Sequence, residues 1–343
     1  MRKTTIPKVS LTNICLSPIR GGDTVYKLKG KFTDNSTDSD YWYLANSKDG
    51  EKVNISAFVN PTDKAFAIND VKQTPFFTQN RELVSAKIIG NPGKVTKLLR
   101  MFEGCLHLVA LDLSQIETKN VTNMVGMFYN CALLPSLNLQ AFDTSKVTNM
   151  YRMFKGCQKL QSVNLSSFDT TNVEYMDEMF ADCRSLTSVD LSNFNTQKVK
   201  HIGSMFDSCY SLAELDLSNF DTSSLLSTFH TFMDCGKMST LNLSGWNFSS
   251  LQENTDMFAF CSSLSTVIGP VTGIKLSFDL SDCPLTNESA MVFINGLDNV
   301  SSNQTLEFSR DTWATLTPEQ IAIATSKGWT VVVDTGGQTG GVN

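Results

Sequence analysis

The sequence predicts an α/β solenoid in which each coil combines a short parallel strand with a short helix. Two regularities carry this prediction. Most of the nine cysteines recur at one constant interval, that from Cys105 to Cys131, and an apolar–polar–apolar triplet such as Leu111-Asp112-Leu113 follows six of them. Repeats of about 20 to 50 residues are typical of solenoids, whose coils bury their apolar residues against one another. The recurring cysteines are Cys105, Cys131, Cys157, Cys183, Cys209, Cys235 and Cys261.

Each part of a coil has its own local signal. The stretch 188–192 alternates apolar and polar residues, which predicts a short strand. Asp143-Thr144-Ser145 and its equivalents predict an Asx or Ser/Thr turn. Val147, Met150 and Phe154 then recur at helical spacing and predict a helix of about two turns that ends near the cysteine. Stacked coils would pair their strands in parallel, about 4.8 Å apart.

Composition excludes several classes of partner. Lys and Arg number 28 against 34 Asp and Glu, so the formal net charge is −6, and the isoelectric point is near 5.2. Because nucleic-acid binding needs a positive field, we expect no nucleic-acid partner. No apolar run is long enough for a transmembrane segment. The N-terminus shows no apolar signal-peptide core, so synthesis in the cytoplasm is expected.

No catalytic, cofactor or metal site is legible in the sequence. The three histidines, at His107, His201 and His230, lie in no recognisable motif, and no Gly-rich phosphate loop precedes a helix. The cysteines lack Cys-x-x-Cys spacing, and side chains in register point alike, which disfavours disulfides. We therefore expect a non-enzymatic protein without a cofactor, in which the seven cysteines form one column of buried, unbonded thiols.

The repeat resembles a known family. The unit from Leu186 to Cys209, and the whole stretch from 95 to about 268, closely resemble the BspA-like leucine-rich repeat of bacterial surface proteins, also known as a mycoplasma surface-lipoprotein repeat. The segments 284–297, 305–309 and 316–331 resemble the C-terminal end of related gut-bacterial and phage proteins. The resemblance implies a leucine-rich-repeat type of solenoid and a role in binding or adhesion outside the bacterial cell.

The chain is expected to divide into four segments. Residues 1–85 predict a small β-rich domain for attachment and capping, with a strand near 25–32 and a hairpin around Asp49-Gly50. The solenoid follows at 86–276, capping repeats at 277–333, and a Gly-rich tail at 334–343.

The C-terminal cap contains regular elements of its own. Thr286 predicts the start of a helix that extends to Leu297, and residues 306–308 predict a strand. Pro318 predicts the start of a second helix that Gly328 ends, followed by a strand at 329–333.

Two surfaces are candidates for ligand binding. The polar residue of each triplet, including Asp190 and Asp216, must face outward on the sheet. This column either forms a groove for a glycan or peptide, or is a solvated face whose short side chains bond to one another. The second candidate is the helix side, where residues vary between coils: Tyr151, Arg152, Arg184 and Tyr210. The alternative there is drift on a solvent-exposed face.

These observations predict a binding protein of the extracellular type. The expected partners are a protein or glycan on a cell surface and other subunits of a virion or surface assembly. The expected place is a phage virion or tail, or a cell exterior. The alternatives are a purely structural or decorating component of a large assembly, or a secreted bacterial adhesin.

Overall fold

The computed structural model describes residues 98–334 except 115, 117 and 302, together with the backbone of four strands nearer the N-terminus. These strands are β1 (Cys15–Ile19), β2 (Asp23–Lys27), β3 (Trp42–Ser47) and β4 (Leu83–Ile89). Strand β1 pairs antiparallel with β2, and β3 pairs antiparallel with β4. The second half of the predicted hairpin, at 52–58, and the tail from 335 lie outside the described residues, so the domain boundaries stay predictions.

Short parallel strands stack along one side of the repeats. Strand β4 pairs with β5, β6 pairs with β7, and β8, β9 and β10 form a third sheet, with partners exactly one repeat apart in the last two sheets. The bounds are β5 (Ala110–Asp112), β6 (Ser136–Asn138), β7 (Ser162–Asn164), β8 (Glu214–Asp216), β9 (Thr240–Asn242) and β10 (Thr266–Ile268). These strands confirm the predicted parallel stacking of coils.

The strand predicted at 188–192 is wrong, because this stretch forms no strand between β7 and β8. The preceding residue, Thr187, still donates its N–H to the carbonyl of Gln161 at 3.1 Å. Since each rung of this sheet is so short, the loss of one pair of hydrogen bonds is enough to interrupt it.

The helix predicted within each coil is also wrong. The segment forms overlapping turns instead, in which Met153 donates its N–H to Met150 O and Cys157 to Phe154 O, each at 3.1 Å. Arg152 lies at φ +57°, a left-handed conformation that a right-handed helix excludes. We call this part of a coil the turn segment.

The turn segments fail to form helices because the next coil supplies better partners. The N–H of Arg152 donates to Asp177 O at 3.0 Å, and the N–H of Phe154 donates to Met179 O at 2.9 Å. The same bonds recur from coil to coil and form a second ladder beside the sheet. The left-handed residues that this ladder needs fall in two columns: Arg100, Gly126, Arg152, Glu178, Ser204, His230 and Asp256, and Gly104, Asn130, Gly156, Asp182, Ser208, Asp234 and Phe260.

The core between the two ladders is built from columns of identical side chains. Seven fully buried phenylalanines stack face to face, with ring centroids 5.3–6.0 Å apart. They are Phe102, Phe128, Phe154, Phe180, Phe206, Phe232 and Phe258. Stacked rings of this kind give close packing without voids, which is where most of the stabilisation of a solenoid comes from.

The cysteines form the expected column of buried, unbonded thiols. All seven recurring cysteines are free, and Cys283 extends the column by one more coil. Each thiol after the first donates to a phenylalanine carbonyl of the preceding coil, as Cys157 does to Phe128 O at 3.2 Å. Burial raises the pKa of Cys157 to about 12. The cysteine is therefore a hydrogen-bond donor between coils as well as a small apolar side chain.

A column of buried threonines ties the opposite corner together. Thr170 donates its hydroxyl to Asn195 O at 2.9 Å and accepts the N–H of the same residue at 2.8 Å. The other members make bonds of the same kind to the next coil: Thr118, Thr144, Thr196 and Thr222. A hydroxyl in this position can satisfy two backbone groups at once.

The C-terminal elements match the sequence prediction closely. Helix α1 (Asn287–Gly296) begins after the N-cap Thr286, and α3 (Pro318–Ser326) begins after Thr317, which forms a capping box with Gln320. Strands β11 (Phe278–Leu280), β12 (Gln304–Phe308) and β13 (Trp329–Val333) pair in parallel. The short helix α2 (Arg310–Trp313) and strand β11 are additional to the prediction.

Candidate functional site

The strand side carries the polar column that the sequence places on the outer face of the sheet. Asp190 and Asp216 are both exposed there. The Oδ1 atom of Asp190 accepts the N–H of Ser192 at 3.0 Å, and that of Asp216 accepts the N–H of Ser218 at 2.9 Å. These backbone hydrogen bonds lower the pKa of both carboxyls.

The same local bond recurs in the other coils and fixes the role of the column. Asp112, Asn138, Asn164 and Asn242 each accept the N–H of the residue two positions later. Each of these side chains thus closes an Asx turn in its own coil, and bonds between neighbouring polar side chains also occur, since Ser244 donates its hydroxyl to Asn242 Oδ1 at 2.7 Å. One oxygen of each side chain is used to end a strand.

Charge is distributed unequally between the two sides. In residues 98–270 every Lys and Arg lies in a turn segment or in the residues that lead into or out of one: Arg100, Lys119, Lys146, Arg152, Lys155, Lys159, Arg184, Lys198, Lys200 and Lys237. Within residues 98–270, the charged residues of the strand positions and of the first positions of the Asx turns are all carboxylates: Asp112, Asp143, Asp169, Asp190, Glu214, Asp216 and Asp221. The strand side is thus mainly acidic, although β4 pairs Lys87 in register with Asp112 and Lys146 lies near Asp143, whereas the turn side is mixed.

Two of the predicted residues, Tyr151 and Arg152, meet in one cluster around Glu178. Tyr151 donates its hydroxyl to Glu178 Oε1 at 2.9 Å, and Arg152 donates Nε and an Nη to the same oxygen at 3.0 and 2.8 Å. Lys155 pairs with the other carboxylate oxygen. The Arg152 guanidinium lies 4.5 Å from the Tyr151 ring centroid and 5.9 Å from that of Tyr129.

The hydrogen bonds and ion pairs of the cluster keep Glu178 ionised and fix the positions of Tyr151 and Arg152. Burial opposes ionisation of Glu178, but hydrogen bonds from Arg152, Lys155 and Tyr151 outweigh it and lower its pKa. Burial, together with the bond to Glu178, raises the pKa of Tyr151 to about 12. A Tyr–Arg pair held in place by a half-buried carboxylate is the kind of rigid amphipathic anchor that dominates protein interfaces.

The other two predicted residues, Arg184 and Tyr210, lie in a different place, directly after their cysteines. Arg184 pairs with Asp182 at 2.6 Å and is exposed. The Tyr210 ring is 50% exposed and lies over Gly236, where an added Cβ would come within 2.9 Å of Cε2. The Lys237 ammonium is 5.7 Å from the ring centroid. The predicted residues thus form two groups on the turn side and not one patch.

Sequence reasoning missed a third group on the turn side. The rings of Tyr175 and His201 stack at 5.6 Å, and Tyr175 is 39% exposed. Asp177 accepts the N–H of Gly203 at 3.1 Å, and burial raises its pKa against the opposing effect of His201. The signal was available, because these residues occupy positions where other coils carry Asn123, Asn149, Val125 or Tyr151.

Within the described residues, no group of three or more His, Cys, Asp or Glu side chains is arranged to hold a metal ion. No helix of the described part of the chain is long and apolar enough to cross a membrane.

Comparisons with known proteins place the repeats in a family. A comparison with curated proteins found no match. Among solved structures, a crystal structure of a TLR13–ssRNA13 complex is 14% identical, with a TM-score of 0.16, and the match covers 72% of this chain and 50% of that one. A TM-score this low supports no inference about the fold or the function of this chain. A family model described as "Mycoplasma protein of unknown function, DUF285" matches residues 96–210 and 188–270, which together span just over half of the chain. The chain therefore belongs to the DUF285 family.

Proposed function

We propose that the protein is a non-enzymatic recognition protein whose turn side binds a protein or glycan on a cell surface. It acts from the exterior of a virion or cell, in the manner implied by the resemblance to BspA-like repeats. Nucleic acid is not its partner.

One observation carries the proposal: varied aromatic and charged side chains are displayed along one side of an almost invariant framework. The turn side holds Tyr151, Arg152 and Tyr210 at positions that change from coil to coil. The columns beneath them repeat the same phenylalanine, cysteine and threonine. Variation on a constant scaffold is how repeat proteins build specific surfaces.

Electrostatics favours the turn side over the strand side. A mainly acidic face is repelled by the anionic surfaces that most cells present, and salt screens this repulsion only beyond about 10 Å. The Asp side chains of the strand side also already accept backbone N–H groups. The turn side carries every cation of residues 98–270 together with carboxylates, so its mixed charge meets no such general repulsion.

Binding of the labelled full chain to bacterial and animal cells tests the proposal. A turn-side variant, Tyr151→Ala combined with Tyr210→Ala, is expected to lose about tenfold or more in apparent affinity, because exposed Tyr anchors often contribute above about 1 kcal/mol each. The matched strand-side variant, Asp190→Asn with Asp216→Asn, keeps the Asx turns and is expected to bind as the parent does.

Two outcomes would contradict the proposal. Equal loss in both double variants would mean that the turn side has no special role. Absence of binding to every cell type would favour the alternative of a structural or decorating component, in which the stiff solenoid acts only as a spacer.

A further inference from the structure

We propose that the surface flanking the cysteines of the last coils is a subsite for a linear polysaccharide, with Tyr210 and Phe260 as its two stacking platforms. This inference rests on the proposed function and names its ligand class. The subsite, which we call the cysteine-flanking strip, consists of Tyr210, Asp234, Gly236, Lys237 and Phe260.

Phe260 is the residue that the fold itself does not explain. It lies directly before Cys261 with φ +60°, in a column that other coils fill with Gly104, Asn130 or Asp182, residue types that tolerate a left-handed backbone. Its side chain is 57% exposed, so it adds little to the core. A bulky aromatic residue that strains the backbone and faces solvent points to a contact made outside the chain.

Tyr210 is the second exposed ring, and its orientation depends on a neighbour. It follows Cys209 directly and extends across the next coil, where Gly236 leaves room for it. Any side chain at 236 would push the ring away, since the added Cβ would lie 2.9 Å from Cε2. Because Gly236 has no side chain, the Tyr210 ring can lie flat across the surface of that coil.

The coil between those of Tyr210 and Phe260 carries polar groups. The half-buried Asp234 carboxylate interacts electrostatically with Arg184, and Lys237 is exposed beside Tyr210. A carboxylate accepts and an ammonium donates hydrogen bonds, and vicinal sugar hydroxyls do both. The strip thus offers stacking faces and both kinds of polar partner.

Spacing and composition favour a glycan chain over a protein. Successive coils lie about 4.8 Å apart, which is close to the length of one pyranose unit, and the Tyr210 ring covers the coil next to that of Phe260, so the two platforms are about one sugar unit apart along the axis. A protein interface needs a contiguous apolar core, whereas here each ring is separated from the next by polar residues. Isolated aromatic faces among hydrogen-bonding groups suit sugars, whose rings present an apolar face and a polar edge.

The test measures binding of the full chain to immobilised cello-, xylo-, manno-, chito- and maltohexaose. At least one hexasaccharide is expected to bind, and the corresponding monosaccharide to bind about tenfold more weakly because it reaches only one platform. Phe260→Asn is expected to keep or improve folding stability, since Asn suits a left-handed backbone, while weakening binding about tenfold. Gly236→Ala moves only the Tyr210 ring and is expected to weaken binding to a similar extent. Tyr175→Ala removes a comparably exposed ring outside the strip and is the matched control.

Failure of the inference can be told apart from failure of the proposed function. Binding to none of the hexasaccharides, or unchanged binding in Phe260→Asn and Gly236→Ala, would overturn the glycan subsite. Cells stripped with protease or oxidised with periodate provide the second measurement. Loss of cell binding after protease alone overturns the subsite but leaves recognition of a surface protein standing. Loss after periodate supports the subsite.

Discussion

Replacing a buried threonine by valine tests whether hydrogen bonds between coils, and not only apolar packing, hold the solenoid together. Thr170 is 1% exposed, and its hydroxyl bonds both the N–H and the carbonyl of Asn195 in the next coil, at 2.8 and 2.9 Å. Thr170→Val keeps the shape of the side chain and adds apolar surface, so packing alone predicts no loss. The substitution leaves two backbone groups without their partner.

The expected cost follows from those two groups. A hydrogen bond contributes about 0.5–1.5 kcal/mol, and both bonds are only part-buried because Asn195 is exposed, so Thr170→Val should lower the free energy of unfolding by about 1–3 kcal/mol. Thr170→Ser keeps the hydroxyl and removes one methyl group, which costs about 1 kcal/mol. Valine should therefore be the more damaging change even though it is the closer match in volume.

Urea denaturation followed by circular dichroism measures both variants, and hydrogen exchange of the Asn195 amide reports the local effect. Thr148→Val is the control, because Thr148 is exposed and makes one long bond of 3.3 Å, and a change within about 0.5 kcal/mol is expected there. If Thr170→Val proved as stable as the parent, or more stable than Thr170→Ser, the view that the threonine column ties the coils together would be refuted.

Three further predictions concern the core and its titration. In native protein at pH 8 the thiol of Cys157 should not react with a thiol reagent, because burial raises its pKa to about 12. Under denaturing, non-reducing conditions all seven recurring cysteines should react. A disulfide between any two of them would refute the unbonded column. Phe180→Ala removes one fully buried ring, stacked at 5.3 and 5.7 Å, and should lower the unfolding free energy by about 3–5 kcal/mol, with Phe180→Leu costing clearly less in the same urea titration. Burial raises the folded-state pKa of Asp177, so ionisation of this carboxyl above that pKa lowers the stability of the protein. Asp177→Asn should therefore stabilise the protein at pH 7, and the gain should vanish below the unfolded pKa of about 3.9. Equal gains at both pH values would contradict the assignment.

Other carboxyls change the stability of the protein at acidic pH in the direction opposite to Asp177. Side-chain and backbone hydrogen bonds within the Asx turns lower the folded-state pKa of Asp143 and Asp169. Carboxyls of this kind contribute stability above their unfolded pKa and lose it as pH falls through the lower folded value. As pH falls, protonation of Asp177 therefore raises stability down to the unfolded pKa of about 3.9, and below that value protonation of Asp143 and Asp169 lowers it.

Local signals in the sequence were sufficient where a structure depends on local chemistry. The constant period located every cysteine of the repeats in one buried, unbonded column, because residues in register on stacked coils must share an environment. The starts of α1 and α3 were predicted from Thr286 and Pro318 for the same reason, since an N-cap and a proline at the first position both act within the first turn of a helix. The outward direction of Asp190 and Asp216 followed from strand alternation.

The sequence was misleading where two structures share one apolar pattern. Val147, Met150 and Phe154 are spaced as in a helix, yet they do not lie in one, because a buried face at this spacing is equally compatible with a non-helical segment pressed against a core. What decides between the two is the partner of each N–H group, and that partner lies a full repeat away in the next coil. No local window contains it.

For the candidate binding residues too, the sequence and the tertiary structure each determined a different part. Variation between coils was visible in the sequence and selected Tyr151, Arg152, Arg184 and Tyr210. Tertiary structure decided that the first two are bound to Glu178 of the following coil while Tyr210 lies over Gly236, and it revealed the left-handed backbone of Phe260. The sequence by itself determined that this protein is a stack of repeated coils, since periodicity alone dictates shared environments. Only the tertiary structure decided which side chains meet, because the contacts that build the turn-side surface join residues of different coils.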